Sequence, residues 1–348
     1  MLLTDSFTTL ENLIQSYRFQ CKIEGKSPKT IEIYTTALTI LERFLKEDGL
    51  PTDVAQIGVH ELKLFILHLQ RTKAYRNHLY TRPQQKGLTG HTINCYLRAI
   101  RAFWSWLVSE EIVESNPFDR IKIPKPPKKV ILPFTDDQIK TLLSTIDTRS
   151  ATGFRDWTII LTLLDIGLRV TELAKIELKD ANVNQRSLKV YGKGAKERVV
   201  PIGVTVQRAI AKYVTRYRPS PVDQLLDHLF LTKAGESLTA NRIETIIKKY
   251  GMKAGIDGVR CSPHTFRHTF AISYLRNGGD VFSLQRILGH DSLDMVRNYV
   301  NMAQYDLQAA HQRCSPVDNL KIKAGGSPVH TLKKFSANME VPAPVARE

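Results

Sequence analysis

The sequence predicts a mainly α protein of two domains, an all-α bundle followed by an α+β domain with a small antiparallel sheet. Three observations carry that prediction. At 348 residues the chain is too long for one small domain and comfortable for two. Apolar residues recur at helical spacing through most of its length, and β-rich runs are confined to one stretch between Ser187 and Ile202. A proline-rich basic segment, DRIKIPKPPKKVILPF at 119–134, separates the halves. The expected division is therefore a helical domain over 1–118, a linker over 119–134, a second domain over 135–313 and a tail over 314–348.

The first domain opens with Thr8-x-x-Glu11, a capping-box pattern ahead of an apolar-periodic stretch. Ser27-Pro28 supplies an N-cap and an N1 proline; Ile31, Tyr34, Leu38, Leu41 and Leu45 then follow at helical spacing, and Gly49 closes the run. His60 to Arg71 forms a third helix. A polar, basic loop covers 73–90, and a fourth helix runs from about His91 to Val108. In the linker, four prolines keep the backbone extended and five residues are Lys or Arg. It reads as a solvated connector or as a strap laid along phosphates. The second domain starts at a second capping box, Thr135-x-x-Gln138, with helices through Leu178. SLKVY and ERVVPI flank GKGAK as a hairpin, and helices resume near Val204 and continue to about Gln312. Beyond about residue 325 the tail lacks the large apolar residues needed to offset its ordering entropy, so disorder is expected.

Composition narrows the function. Fifty Lys and Arg against 34 Asp and Glu leave a net charge of +16. The excess is spread out: 6 over residues 1–130, 7 over 131–310 and 3 over 311–348. A field of that extent favours a long polyanion, with nucleic acid first. The longest apolar stretch, Trp157 to Leu168, is short for a membrane span and contains Asp165, so no membrane association is expected. The N-terminus lacks a basic region followed by an apolar core, so no signal peptide is expected. Cys21, Cys95, Cys261 and Cys314 lie far apart without metal-ligand spacing, which argues against a disulfide scaffold or zinc site and fits a cytoplasmic protein.

Chemistry concentrates in the second domain. In DIGLRVTEL, Gly167 ends one helix and Arg169 starts the next, with Glu172 on the same face to hold its guanidinium. Lys193 lies at the hairpin tip between glycines, a mobile point charge able to deliver a proton. Ser262-Pro263 caps a helix whose first turns present His264 and Arg267 at i, i+3. Gly289 ends a later helix just before His290. Asp291 or Ser292 then starts the helix carrying Tyr299. Taken alone, these features read first as surface charge or ordinary packing.

In this order, the GLRVTEL box, the GKGAKERVVPI hairpin, the PHTFRHTFA box, LGHDS and the closing Tyr299 resemble the catalytic domain of the tyrosine recombinases, the phage-integrase and Xer-type family. SPKTIEIYTTAL, HTINCYLRAIRAFWSWL and NPFDRIKIPKPPKK are similar to that family's SAM-like core-binding domain and linker, so the resemblance spans about residues 5–312. It implies a site-specific DNA recombinase or integrase that cuts and rejoins strands through a 3′-phosphotyrosyl link at Tyr299. Arg169 and Arg267 would clamp phosphate oxygens and Lys193 would protonate the leaving 5′-oxygen. His264 and His290 would share the remaining proton and hydrogen-bond roles, with Glu172 behind Arg169. Double-stranded DNA is the implied partner, contacted also by Arg98, Arg101, Lys122, Lys125, Lys128 and Lys129, with the two domains clamping the duplex. No metal, ATP or other cofactor is expected; neither a P-loop nor a carboxylate cluster is visible. Exchange between two duplexes implies a homotetramer on paired sites, with residues 301–313 docked on a neighbouring protomer or on their own domain. Type IB topoisomerase-like relaxation and a non-catalytic DNA-binding regulator are the alternatives. Chromosome-dimer resolution, phage integration and movement of a mobile element would use the same residues.

Overall fold

The structure, a computed structural model, describes residues 8–73, 87–123, 131–192, 196–223, 227–290, 292–303, 311 and 314–320. It divides into two compact units, Met1–Val130 and Ile131–Glu348.

The first unit is all-helical among its described residues: α1 (Leu10–Ile23), α2 (Pro28–Glu47), α3 (Val59–Arg71), α4 (Gly90–Ser109) and a 3-10 turn over Pro117–Arg120. The Ser27 hydroxyl accepts from the Thr30 amide at 3.2 Å, and Pro28 sits where no amide is needed. Gly49 follows α2 in the left-handed region at φ 64°. One expected start signal does not form. The α1 N-cap is Thr9, without a side-chain cap bond. The backbone on either side of it pairs instead with the segment before α3: Leu10 donates to the Thr52 carbonyl at 2.9 Å and Val54 to that of Thr8 at 3.2 Å. That pairing fixes the entry of the chain and displaces the Thr8–Glu11 box. Leu10, Leu38, Phe65, Phe103 and Trp104 close the core. Most of the 73–90 loop (74–86) and linker residues 124–130 lie outside the described residues.

The second unit begins with the expected capping box. Thr135 Oγ1 accepts from the Gln138 amide at 3.2 Å, and Gln138 Oε1 accepts in return from the Thr135 amide at 3.0 Å. There follow α5 (Asp136–Ser144), α6 (Ala151–Ile166), α7 (Val170–Ala174) and a 3-10 turn over Leu178–Asp180. The hairpin is β2 (Ser187–Tyr191) against β3 (Glu197–Pro201), in register Leu188↔Val200 and Val190↔Arg198. A two-residue strand not expected from sequence, β1 (Ala181–Asn182), adds to β2 and completes an antiparallel sheet of order β1-β2-β3. Then come α8 (Val204–Lys212), which runs on as a π-helical turn over Tyr213–Tyr217, α9 (Ala240–Lys253), α10 (Pro263–Arg276), α11 (Val281–Leu288) and α12 (Asp294–Ala303).

Helix is not continuous from Val204 onward, as the sequence had suggested. Residues 218–223 and 227–239 run without a helix, with Leu229, Phe230, Leu231 and Leu238 buried in the core, and are tied down where Arg218 donates to the carbonyls of His228 at 2.7 Å and Leu229 at 3.2 Å. The α12 helix also starts at Asp294, later than the expected Asp291 or Ser292, because Leu293 takes the capping role: its carbonyl accepts from Val296 at 2.9 Å and Arg297 at 3.0 Å. In the tail, ahead of the stretch beyond about residue 325 where disorder is expected, Pro316–Asn319 forms a short α13, and residues 321–348 lie outside the described residues. No helix among the described residues is long and apolar enough to cross a membrane.

Candidate active site

Two left-handed glycines organise the site. Gly167 ends α6 at φ 58°, and Gly289 ends α11 at φ 63°. A Cβ on Gly167 would also lie 2.5 Å from Phe270 Cδ1, so no other residue fits there without rearrangement. Each cap leaves a carbonyl free at the electronegative end of its helix, and both carbonyls face Arg267 on α10. Its Nη1 donates to Gly167 O at 2.8 Å and its Nη2 to Leu288 O at 2.7 Å. Arg267 is buried. Burial, and then the neighbouring Arg169 charge, bring its pKa down to about 10, which leaves it cationic at neutral pH.

Arg169 is the N-cap of α7, and Glu172 sits one turn along that helix. Glu172 Oε2 accepts from the Arg169 amide at 3.0 Å, and Oε1 from Arg169 Nη1 at 2.8 Å. A second guanidinium shares this carboxylate: Arg198 of β3 donates Nη1 to Oε1 at 3.1 Å and Nη2 to Oε2 at 2.8 Å. Burial works to raise the Glu172 pKa, but the hydrogen bonds and charges of Arg198 and Arg169 outweigh it and hold the carboxyl below its ordinary range. Glu172 is thus an ionised, buried anchor. Arg169 keeps more than a third of its side chain exposed, whereas Glu172 is nearly enclosed at 3%.

Tyr299 is buried among Phe270, Leu275, Leu284, Leu288 and Val296. Two imidazoles lie near its ring, His268 edge-on at 5.0 Å and His290 near-parallel at 6.2 Å. Burial pushes the phenol pKa up, against the pull of the adjacent Arg267 and of Arg169. His290 is buried with its Nδ1 unpartnered. Burial first, then the charges of Arg267, Arg169 and Arg198, bring its pKa down to about 4, so the ring is neutral at physiological pH. His268, also with an unpartnered Nδ1, is shifted down by burial and by His264 and Arg267. His264 stands exposed in the first turn of α10, behind the Ser262 cap, whose hydroxyl accepts from the Thr265 amide.

Arg169, Glu172, Arg267, His290 and Tyr299 therefore converge, with His264 at the rim. Lys193 lies outside the described residues, as do Lys125, Lys128 and Lys129. The ends of the Lys193 turn are joined by Gly192 donating to Lys196 O at 2.8 Å. In the first unit, Arg98 and Lys122 are exposed, and Arg101 is half-exposed with Asp119 at 3.1 Å. Sequence reasoning overlooked Arg198 and His268. Strand alternation held the signal for Arg198: it shares the inward face with buried Val200, opposite exposed Val199, and an inward arginine needs a buried carboxylate. His268 had the spacing signal, one turn past His264 on the same helix face. The assembly offers two guanidiniums and a neutral imidazole to an anion beside a buried phenol.

Residues 133–305 match the Phage integrase family, and residues 13–112 match the N-terminal SAM-like domain of phage integrases. The chain is 31% identical over 292 residues to tyrosine recombinase XerD of Staphylococcus haemolyticus, covering 80% of this chain and 99% of that protein. It is 33% identical over 309 residues to tyrosine recombinase XerC of Pelotomaculum thermopropionicum, covering 87% and 97%. Its fold is similar to that of the Tn1549 transposon integrase in complex with a circular intermediate DNA, with a TM-score of 0.66 at 20% identity over 89% of this chain and 99% of the other.

Proposed function

The chain belongs to the phage integrase family, and from that premise we propose that it is a site-specific DNA recombinase acting on double-stranded DNA through Tyr299. The observation that carries this reading is the burial of Tyr299 beside Arg267 and near two imidazoles, in the family-matching domain.

The reaction asks little of the protein beyond charge and proton placement. Tyr299 loses its proton and its oxygen attacks the scissile phosphorus; the P–O5′ bond breaks, and a 3′-phosphotyrosyl bond remains. Negative charge growing on the non-bridging oxygens is met by Arg267, already oriented by two carbonyls, and by Arg169, oriented by Glu172. Because burial raises the Tyr299 pKa, the phenol needs a base, and exposed His264 is suited to take the proton. Neutral His290 keeps one N–H to donate to a phosphate oxygen. Lys193 supplies the proton to the leaving 5′-oxygen. A 5′-hydroxyl reverses the sequence, so the bond energy is conserved without a high-energy cofactor. Arg98, Arg101, Lys122, Lys125, Lys128 and Lys129 add contacts to the DNA backbone, whose affinity falls as salt rises. Exchange between two duplexes requires four cleavable strands, hence a homotetramer on paired sites.

The test is to trap the adduct on a pool of nicked duplexes of varied sequence and to identify the modified residue by peptide mass spectrometry. The expected result is phosphotyrosine at Tyr299, with no adduct from Tyr299→Phe and duplex affinity nearly unchanged. Adduct on Tyr305 instead, or none on any sequence, overturns the proposal.

A further inference from the structure

Consecutive residues of α10 serve the two halves of the site. Arg267 is buried, and its guanidinium is fixed by the carbonyls of Gly167 and Leu288. His268 follows it, about 100° further round the helix, and its ring meets that of Tyr299. The two rings pack edge to face, with centroids 5.0 Å apart and planes at 67°. Most other buried side chains clustered with Tyr299 are aliphatic, and aliphatic packing is non-directional. An edge-to-face pair has a direction, because the positive edge of one ring seeks the negative face of the other. The imidazole adds neither charge nor, on its buried side, a hydrogen bond. Its Nδ1 is buried without a partner among the described residues. Burial first, then His264 and Arg267, lower its pKa, so the ring is neutral at pH 7. What His268 offers Tyr299 is a planar edge.

From this placement we propose that His268 is a positioning residue for the nucleophile: its edge sets the plane of the Tyr299 ring and so aims the phenol relative to Arg267. The inference rests on the reading of Tyr299 as the nucleophile. Tyr299 stands on α12, but the group that orients it and the guanidinium that meets the phosphate share α10. A helix holds neighbouring residues at a fixed rise and rotation, so clamp and nucleophile are referred to one rigid element. The hydroxyl must lie in line with the scissile P–O5′ bond, and a misplacement of about 1 Å costs on the order of a hundredfold in rate. Phenylalanine presents a similar edge and lacks the unpartnered nitrogen, so it should serve where leucine and alanine do not. That substitution pattern sets His268 apart from His264 and His290, whose nitrogens are needed for proton exchange or for bonding phosphate.

Single-turnover adduct formation tests this on a nicked duplex recovered from the covalently trapped pool. The chains compared are wild type, His268→Ala, His268→Leu and His268→Phe, with duplex affinity and folded fraction measured on the same samples. We expect His268→Ala and His268→Leu to form adduct about ten- to hundredfold more slowly than wild type, per folded molecule and at unchanged affinity. His268→Phe should recover most of that loss and keep the wild-type dependence of rate on pH. Leucine keeps the buried volume, so His268→Leu decides the question if His268→Ala does not fold. A His268→Phe chain as slow as His268→Leu, or one with an altered pH profile, shows that the imidazole nitrogens matter and overturns the positioning role. Wild-type rates in His268→Leu overturn it too, as does a loss that only follows the folded fraction or the affinity. Failure of the nucleophile reading is distinct: adduct would then survive Tyr299→Phe in an otherwise wild-type chain, and the proposal falls with its premise.

Discussion

In the first unit, Leu10, Phe65, Phe103 and Trp104 close a core whose one buried polar side chain among the described residues is Asn116, whereas the second unit buries Arg155, Asp156, Glu172, Asp180, Arg267 and His290. Even Asn116 serves structure: its amide donates to Arg101 O at 3.2 Å and Ser105 Oγ at 3.0 Å, and its carbonyl accepts from Phe118. Burying charge is expensive, and a buried ion pair adds little net stability over a well-packed apolar replacement. The second unit therefore buries charge beyond apolar packing, part of it in structural ties such as Arg155 with Asp156 and the Leu231 carbonyl and part of it in the site, while the first is built by the ordinary rule of apolar packing. The difference separates a unit made to hold its shape from one that also holds reactive groups in a dehydrated setting.

That contrast breaks most sharply at Arg267. Arg267→Met should cut adduct formation by about 10²–10³-fold, the scale of losing one preorganised donor to a developing oxyanion. The folded fraction, followed by circular dichroism, should change far less. Collapse of the fold in step with activity would show that the buried charge is structural after all. Trp104→Ala should do the reverse. Its side chain is 1% exposed, and emptying that volume should cost about 3–5 kcal/mol in a denaturant titration. Adduct chemistry per folded molecule should stay near wild type.

The smallest effect is on pH. His290 titrates near 4 when folded against about 6.5 unfolded, so between those values the unfolded chain binds more protons. The contribution of this group is then complete above 6.5 and is lost as acid is added from there down through the folded value. His268, shifted in the same direction, adds to the loss. Thermal midpoints measured from pH 7 to 4 should fall less steeply in His290→Phe than in wild type. Identical slopes would remove His290 from the account.

Much of this was legible in the sequence because it is local. Ser27, Thr135 and Ser262 cap the helices their patterns announce, and Gly167 and Gly289 end helices in the conformation that favours glycine. What escaped depends on distant partners. The Thr8–Glu11 box lost to backbone pairing with a segment more than forty residues away. Arg198 looked like one charge among several in AKER until its strand face and the shared carboxylate of Glu172 were known. The irregular stretches 218–223 and 227–239 are joined by an arginine bonding to carbonyls, a pairing that leaves no periodic trace in the residues it joins.

The grip on Arg267 has a further consequence for how such a site persists through neutral drift. Both acceptors are main-chain oxygens, supplied by Gly167 and Leu288, so side-chain replacement at 288 cannot delete the acceptor there. Inheritance of the site's central cation is therefore tied to two backbone bends rather than to a matching set of polar partners. Surrounding side chains are free to diverge as long as both helix ends still turn through a residue that tolerates positive φ.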